Sequence, residues 1–202
     1  MKLLHHIVLT FVILWTCNLT GQEVIQKASR SDLRSYGKEI KMVSVFGEKA
    51  TVTVRGADVT EVKVLLRPVS RNSDREKAAA DLKYINYSVE KEGDRLIIRN
   101  FFRGNPGQIT SNLSMDIEIV MPHSVQAVIT NLYGPVKISN IASVNVSVSF
   151  GSLRLTGISS ESIIKARYSD MELEAVHGKL EITSEKSDIN ATALDAATTI
   201  NC

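Results

Sequence analysis

The chain is 202 residues long, and its 24 basic and 22 acidic side chains leave a formal net charge of only +2. Such a balance excludes the sustained electrostatic attraction that nucleic acid or an acidic membrane surface would call for. With 44% apolar residues the chain can bury a substantial core, and two cysteines in all cannot form a disulfide framework.

At the start, Met1 and Lys2 open a short basic region with His5 and His6, and the apolar run Ile7 to Trp15 comes next. The run is too short for a comfortable bilayer span, and small or polar residues succeed it, so residues 1–21 read as a secretory signal peptide cleaved before Gln22. Cys17 offers a rival reading, lipidation of its thiol, although Trp15 and Thr16 are bulkier than a lipoprotein leader usually carries there. Cleavage leaves Cys202 as the single thiol, lowers the net charge by the one unit of Lys2, and leaves no transmembrane span. The expected destination is the periplasm, the outer membrane surface or the extracellular side, where a protein without disulfides must rely on its core.

Residues 22–123 predict a β-rich capping region with one short helix. Lys38 to Phe46, Ala50 to Arg55 and Val59 to Leu66 alternate apolar and polar residues, broken by Gly47 and Gly56, and they look like antiparallel strands. Ser73-Asp74-Arg75-Glu76 has the form of a capping box, and Ala78 to Ala80 favour helix, so a helix from about Asp74 to Lys83 is expected. Tyr84 to Glu90 and Arg95 to Asn100 flank the hairpin turn Glu92-Gly93-Asp94. Leu113, Met115, Ile117, Ile119 and Met121 then make a strict period-two strand that ends at Pro122. This region is expected to cap the first rung of a repeating segment that begins at residue 124.

From residue 124 to residue 202 the chain repeats itself. An aromatic recurs at Tyr133, Phe150 and Tyr168, with Lys186 in its place in the last unit, at spacings of 17, 18 and 18. Around each of these residues two short runs alternate, for example Val144, Val146 and Val148 before Phe150, then Leu153 and Leu155 after it. Each repeat therefore reads as two strands joined by a turn at Gly134-Pro135, Gly151-Ser152, Ser169-Asp170 or Ser187-Asp188. Asn131 and Ser162 are polar residues at inward positions. Stacked coils would put equivalent residues about 4.8 Å apart, so that Arg154 meets Glu172 and Arg167 meets Glu185 on consecutive rungs. The expected fold is all-β: a right-handed β-solenoid of 17–18-residue repeats, preceded by an antiparallel β region with one short helix. The chain stops within a rung, and the expectation is therefore a C-terminal truncation, with an open rung that can pair with another chain.

These motifs resemble a known family, the bacterial putative-adhesin proteins of unknown function. The likeness rests on Val45-Phe46-Gly47, the strand Ile119-Val120-Met121-Pro122, and the units Tyr133-Gly134-Pro135-Val136-Lys137-Ile138 and Phe150-Gly151-Ser152-Leu153-Arg154-Leu155. It covers most of residues 38–202, with Ser169, Ser187 and Lys186 departing from the aromatic-glycine pattern. The resemblance implies a secreted β-solenoid and supplies no catalytic residues.

Residue types point to two candidate sites. Asp170 and Asp188 share one turn offset and could present two carboxylates to a cation such as calcium, which wants about six oxygens; aspartate is also an ordinary turn residue. Phe101, Phe102 and Arg103, in a stretch from Asn100 to Gln108 rich in glycine and proline, read as a loop surface for a glycan or a partner protein, or as the closure of a core end. No phosphate loop, nucleophile elbow or zinc ligand spacing is present, so no cofactor and no enzyme activity are expected. The expected function is a non-catalytic envelope or cell-surface scaffold of the adhesion type that binds an envelope protein or a glycan. A self-assembling structural solenoid and a polysaccharide-active β-helix enzyme are the alternatives.

Overall fold

Apolar residues at every second position favour extended backbone with one face buried, and the alternating runs do become strands. The computed structural model describes residues 25–201; the expected leader, Cys17, Gln22 and Cys202 lie outside the described residues. In chain order the strands are β1 (Gln26–Ser29), β2 (Asp32–Tyr36), β3 (Met42–Glu48), β4 (Ala50–Ala57) and β5 (Val62–Asn72). After helix α1 (Arg75–Asp81) and a 3-10 turn (Leu82–Tyr84) come β6 (Ile85–Glu92), β7 (Arg95–Phe102), β8 (Asn112–Pro122), β9 (Gln126–Ser139) and β10 (Ser143–Ile158). The last are β11 (Glu161–Arg167), β12 (Asp170–Glu185), β13 (Ile189–Thr192) and β14 (Asp195–Asn201). The protein is all-β with one short helix, as expected, and the strands form a large mixed sheet.

From β9 onward every pairing is parallel. Val144 pairs with Ala127 and Leu153 with Val136, so β10 lies one repeat of 17 residues from β9. Beyond that the step is 18: Ser143 pairs with Glu161, Ser152 with Asp170, Glu161 with Lys179, and His177 with Asp195. The chain bends at two columns of positive-φ residues. One holds Tyr133 (φ 64), Phe150 (φ 56), Tyr168 (φ 49) and Lys186 (φ 52); the other holds Asn140 (φ 57), Gly157 (φ 66), Ala175 (φ 51) and Ala193 (φ 52). The rows between the columns bury Val144, Val146 and Val148 on one side and Leu153 and Leu155 on the other, all in one apolar core. The two rows therefore face each other across that core.

The expected antiparallel order is corrected by the register for β3 and β4, whereas β5, which holds most of Val59 to Leu66, does pair antiparallel. β3 lies between β7 and β9 and is parallel to both, and β4 lies between β8 and β9, again parallel to both. Residues 42–57 are thus one more rung of the same ladder, with Lys49 (φ 47) at its corner, and β7 with β8 make the rung beyond. Alternation states which side chains go inward, but it does not state the direction of a partner strand brought from far along the chain. Antiparallel pairing is confined to the outer strands: β5 on β8, β1 and β2 on β5, and β6 on β7 about Gly93.

The helix cap also shifts by one residue. Asp74, rather than Ser73, accepts hydrogen bonds from the amides of Glu76 (2.8 Å) and Lys77 (3.3 Å), and it satisfies two of the free donors at the start of α1. At the end of α1, buried Asp81 accepts from the Thr110 and Ser111 amides at 3.1 and 3.0 Å, which ties the helix to the start of β8.

Positive φ costs a side-chain-bearing residue about 1–2 kcal/mol, and glycine escapes this cost. Within one corner column, Ala175→Gly is therefore expected to raise the thermal midpoint and Gly157→Ala to lower it. Calorimetric unfolding of both variants checks the pair.

Candidate functional site

At the first corner column the backbone turns outward, carrying Tyr133, Phe150 and Tyr168 onto the surface. Parallel in-register strands bring equivalent residues to about 4.8 Å, close to the separation at which aromatic rings stack. The rings do stack: Tyr133 on Phe150 at 5.2 Å and 22°, Phe150 on Tyr168 at 5.1 Å and 5°. They remain 45%, 45% and 37% exposed. Lys186 ends the stack, with its ammonium 5.1 Å from the Tyr168 ring centroid and donating to the Tyr168 hydroxyl at 3.2 Å. On the opposite side Lys49, whose amide donates to the Leu132 carbonyl, holds its ammonium 5.7 Å from the Phe102 ring. The result is a ridge of rings with a lysine at each end.

Polar groups brace the corner from beneath. Ser169 and Ser187 occupy the slot that glycine fills in Gly134 and Gly151. The Ser169 hydroxyl accepts from the Gly151 amide (3.2 Å) and donates to the Arg167 carbonyl (2.9 Å). One rung on, the Ser187 hydroxyl accepts from the Ser169 amide (3.1 Å) and donates to the Glu185 carbonyl (3.1 Å). On the earlier rungs buried Asn131 donates to the carbonyls of Ala50 (2.9 Å) and Gly134 (3.1 Å). Asn100 donates to the Glu48 carbonyl (2.7 Å) and accepts from the Glu48 amide (3.1 Å). Asn131 is, with Ser162, one of the inward polar residues that the alternation singles out. Its role is missed by that pattern, yet a signal for it exists, because Asn100 and Asn131 each stand two residues before an aromatic, Phe102 and Tyr133.

Phe101 and Phe102 are corrected from loop to strand: they finish β7, opposite Asn86 and Ile85 of β6. Alternation sends them to opposite sides. Phe102 packs partly buried against the core and under Lys49, whereas Phe101 carries the Arg103 guanidinium 4.7 Å from its ring centroid. The three residues do not form one surface. Phe102 lies instead against Lys49, beyond the three stacked rings.

Asp170 and Asp188 lie on consecutive rungs beside the ridge, exposed, and line a groove of about 380 Å³ together with Ser152, Arg154, Glu172 and Asn190. Among the described residues no cluster of three or more His, Cys, Asp or Glu could hold a metal ion. The predicted rung-to-rung pairs are present: Arg154 to Glu172 at 3.1 Å and Arg167 to Glu185 at 3.1 Å. All four side chains are about half exposed, so each pair contributes at most about 1 kcal/mol and serves mainly to oppose slippage.

Shifted titrations lie elsewhere. The hydrogen-bonded Arg34 guanidinium holds the Asp32 carboxyl below its ordinary value, and burial with a bond to Asp32 raises the Tyr87 hydroxyl. Burial pushes Asp81 up, but hydrogen bonds from Ser111 and Thr110 outweigh it and hold that carboxyl low. Each of these groups has a structural partner and none adjoins the ridge.

No family model matches this chain, and no curated protein does. Among solved structures it is similar to a putative cell adhesion protein from Clostridium sporogenes, at 11% identity over 86% of this chain and 98% of that one, with a TM-score of 0.41. It is also similar to a putative adhesin from Parabacteroides distasonis (8% identity, 86% and 96% covered, TM-score 0.34) and to one from Parabacteroides merdae (6%, 85% and 95%, 0.28). Likeness at these scores carries no argument about what the chain does.

Phe150 is the one ring stacked on both sides. Phe150→Ala is expected to cost about 1–3 kcal/mol through two lost ring contacts, and Phe101→Ala less. Urea unfolding of the two variants makes the comparison.

Proposed function

We propose that this chain is an exported, right-handed β-solenoid that acts as a non-catalytic binding scaffold in the bacterial envelope or at the cell surface, with the aromatic corner ridge as its contact line. The observation that carries this reading is the ridge itself. Three large rings stay exposed on a ladder whose every rung is hydrogen-bonded to the next. Rings already held in place by stacking lose little freedom when a partner covers them, so their apolar edges yield contact at low entropic cost.

Three further observations support it. Parallel strands joined through the same sheet system connect in a right-handed sense in nearly all folds, which supports the hand of the coil. The basic and apolar start of the chain supports export. The titratable groups held away from their ordinary values have structural partners, where an acid or base catalyst would face a cleft.

Expression of the full chain in a bacterial host is expected to yield an exported product that begins at Gln22 and sediments with isolated cell envelopes. The double variant Phe150→Ala/Tyr168→Ala, still folded by circular dichroism, is expected to bind envelopes at least about tenfold more weakly. Retention of the uncleaved chain in the cytoplasm, or unchanged envelope binding by the folded variant, would overturn the proposal.

A further inference from the structure

The ridge limits what its own ligand can be. A sugar stacking on an aromatic platform needs an open ring face, but Phe150 is covered on both faces, and Tyr133 and Tyr168 are each covered by Phe150 on one. Lys186 lies over the remaining side of Tyr168. The stack therefore offers ring edges and a single ring face, that of Tyr133 turned away from Phe150.

Alongside runs the groove that contains Asp170 and Asp188. It tracks the ladder axis, across the strands, so its chemistry repeats once per rung at about 4.8 Å. Ser152 pairs in register with Asp170, and Asp188 comes one repeat later. In the next outward column Arg154, Glu172 and Asn190 keep the same step. Arg154 is engaged by Glu172 at 3.1 Å, with Glu174 at 4.0 Å. Ser152, Asp170, Asp188 and Asn190 are exposed and make no side-chain hydrogen bond among the described residues. A row of uncommitted donors and acceptors thus repeats at the strand spacing along a groove whose apolar lining is Val136, Leu153, Met171 and Ile189. Lys137 and Arg154 stand against Asp170, Glu172 and Asp188 in the lining, so the groove has no strong charge of either sign to hold a polyion, and two carboxylates are too few oxygens for a hard cation.

From this geometry we infer that the groove takes an extended, uncharged β-1,4-linked glycan chain lying along the ladder, one pyranose to a rung. Fully extended, such a chain advances by nearly one strand spacing per residue and presents hydroxyls at each step, whereas an α-1,4-linked chain coils away from the line. The inference rests on the scaffold reading above and deepens it by naming the ligand class.

The test uses the full chain with cellohexaose and chitohexaose as probes, maltohexaose as the coiled control, and titration calorimetry with and without a chelator. The expected result is binding of the β-linked hexamers at least tenfold tighter than of maltohexaose, indifferent to the chelator. Asp170→Ala/Asp188→Ala and, separately, Ser152→Ala/Asn190→Ala are expected to weaken it at least tenfold while the thermal midpoint stays at the parent value. Equal affinity for maltohexaose, loss of binding with the chelator, or full binding by a stable variant would overturn the inference. Envelope binding without any oligosaccharide binding would overturn it and leave the scaffold standing; absence of both would remove the scaffold as well.

Discussion

Parallel strands in register sit about 4.8 Å apart, and that distance is close to the one at which aromatic rings stack and at which opposite charges pair. Much of what distinguishes this molecule depends on the coincidence. A step of 17 or 18 residues returns the chain to the same column on each rung. Whatever residue type recurs at that step must therefore touch its own kind. Tyr133, Phe150 and Tyr168 become a stack for this reason, and Arg154 with Glu172, and Arg167 with Glu185, become pairs.

The columns carry strain. Aromatic, lysine, alanine and asparagine residues occupy positive φ at the two corners, where glycine would fit at no steric cost. The stack offsets part of that strain on one side, at about 0.5–1.5 kcal/mol per ring pair. Bonds from Ser169, Ser187, Asn100 and Asn131 leave the corner amides and carbonyls satisfied beneath it. A corner held by several groups at once can keep such a backbone conformation. The opposite column, Asn140, Gly157, Ala175 and Ala193, carries no aromatic ring, and there the His123 Nδ1 meets the Asn140 carbonyl at 2.6 Å.

The sequence displays the repeats from residue 124 plainly, because period-two alternation, an aromatic at constant spacing and complementary outward charges all point to one register. It hides the rung at residues 42–57. There the aromatic-glycine pair Phe46-Gly47 stands three residues before the corner, and the corner residue is Lys49; in register Phe46 faces Thr130, not Tyr133. The motif that suggests kinship with the later units therefore marks a different column. The long excursion through β5, α1 and β6 before β7 and β8 return alongside also removes any constant spacing from which a parallel partner could be recognised. At Phe101 and Phe102 the neighbouring glycine and proline suggest a loop, but pairing with β6 extends the strand through both residues. Propensity yields there to a long-range partner. The constant spacing of Tyr133, Phe150 and Tyr168 puts them in one column, but it does not say that the rings stay on the surface; the positive φ at the corner carries them there.

Residues 18 apart must touch at the corner if the ladder holds this register, and a double-mutant cycle on Phe150 and Tyr168 tests that contact directly. With Phe150→Ala, Tyr168→Ala and the double variant unfolded in urea, a stacked pair predicts a coupling energy of about 0.5–1.5 kcal/mol. Additive effects, with no coupling beyond error, would mean that the rings do not meet and that the ladder is not in the register described.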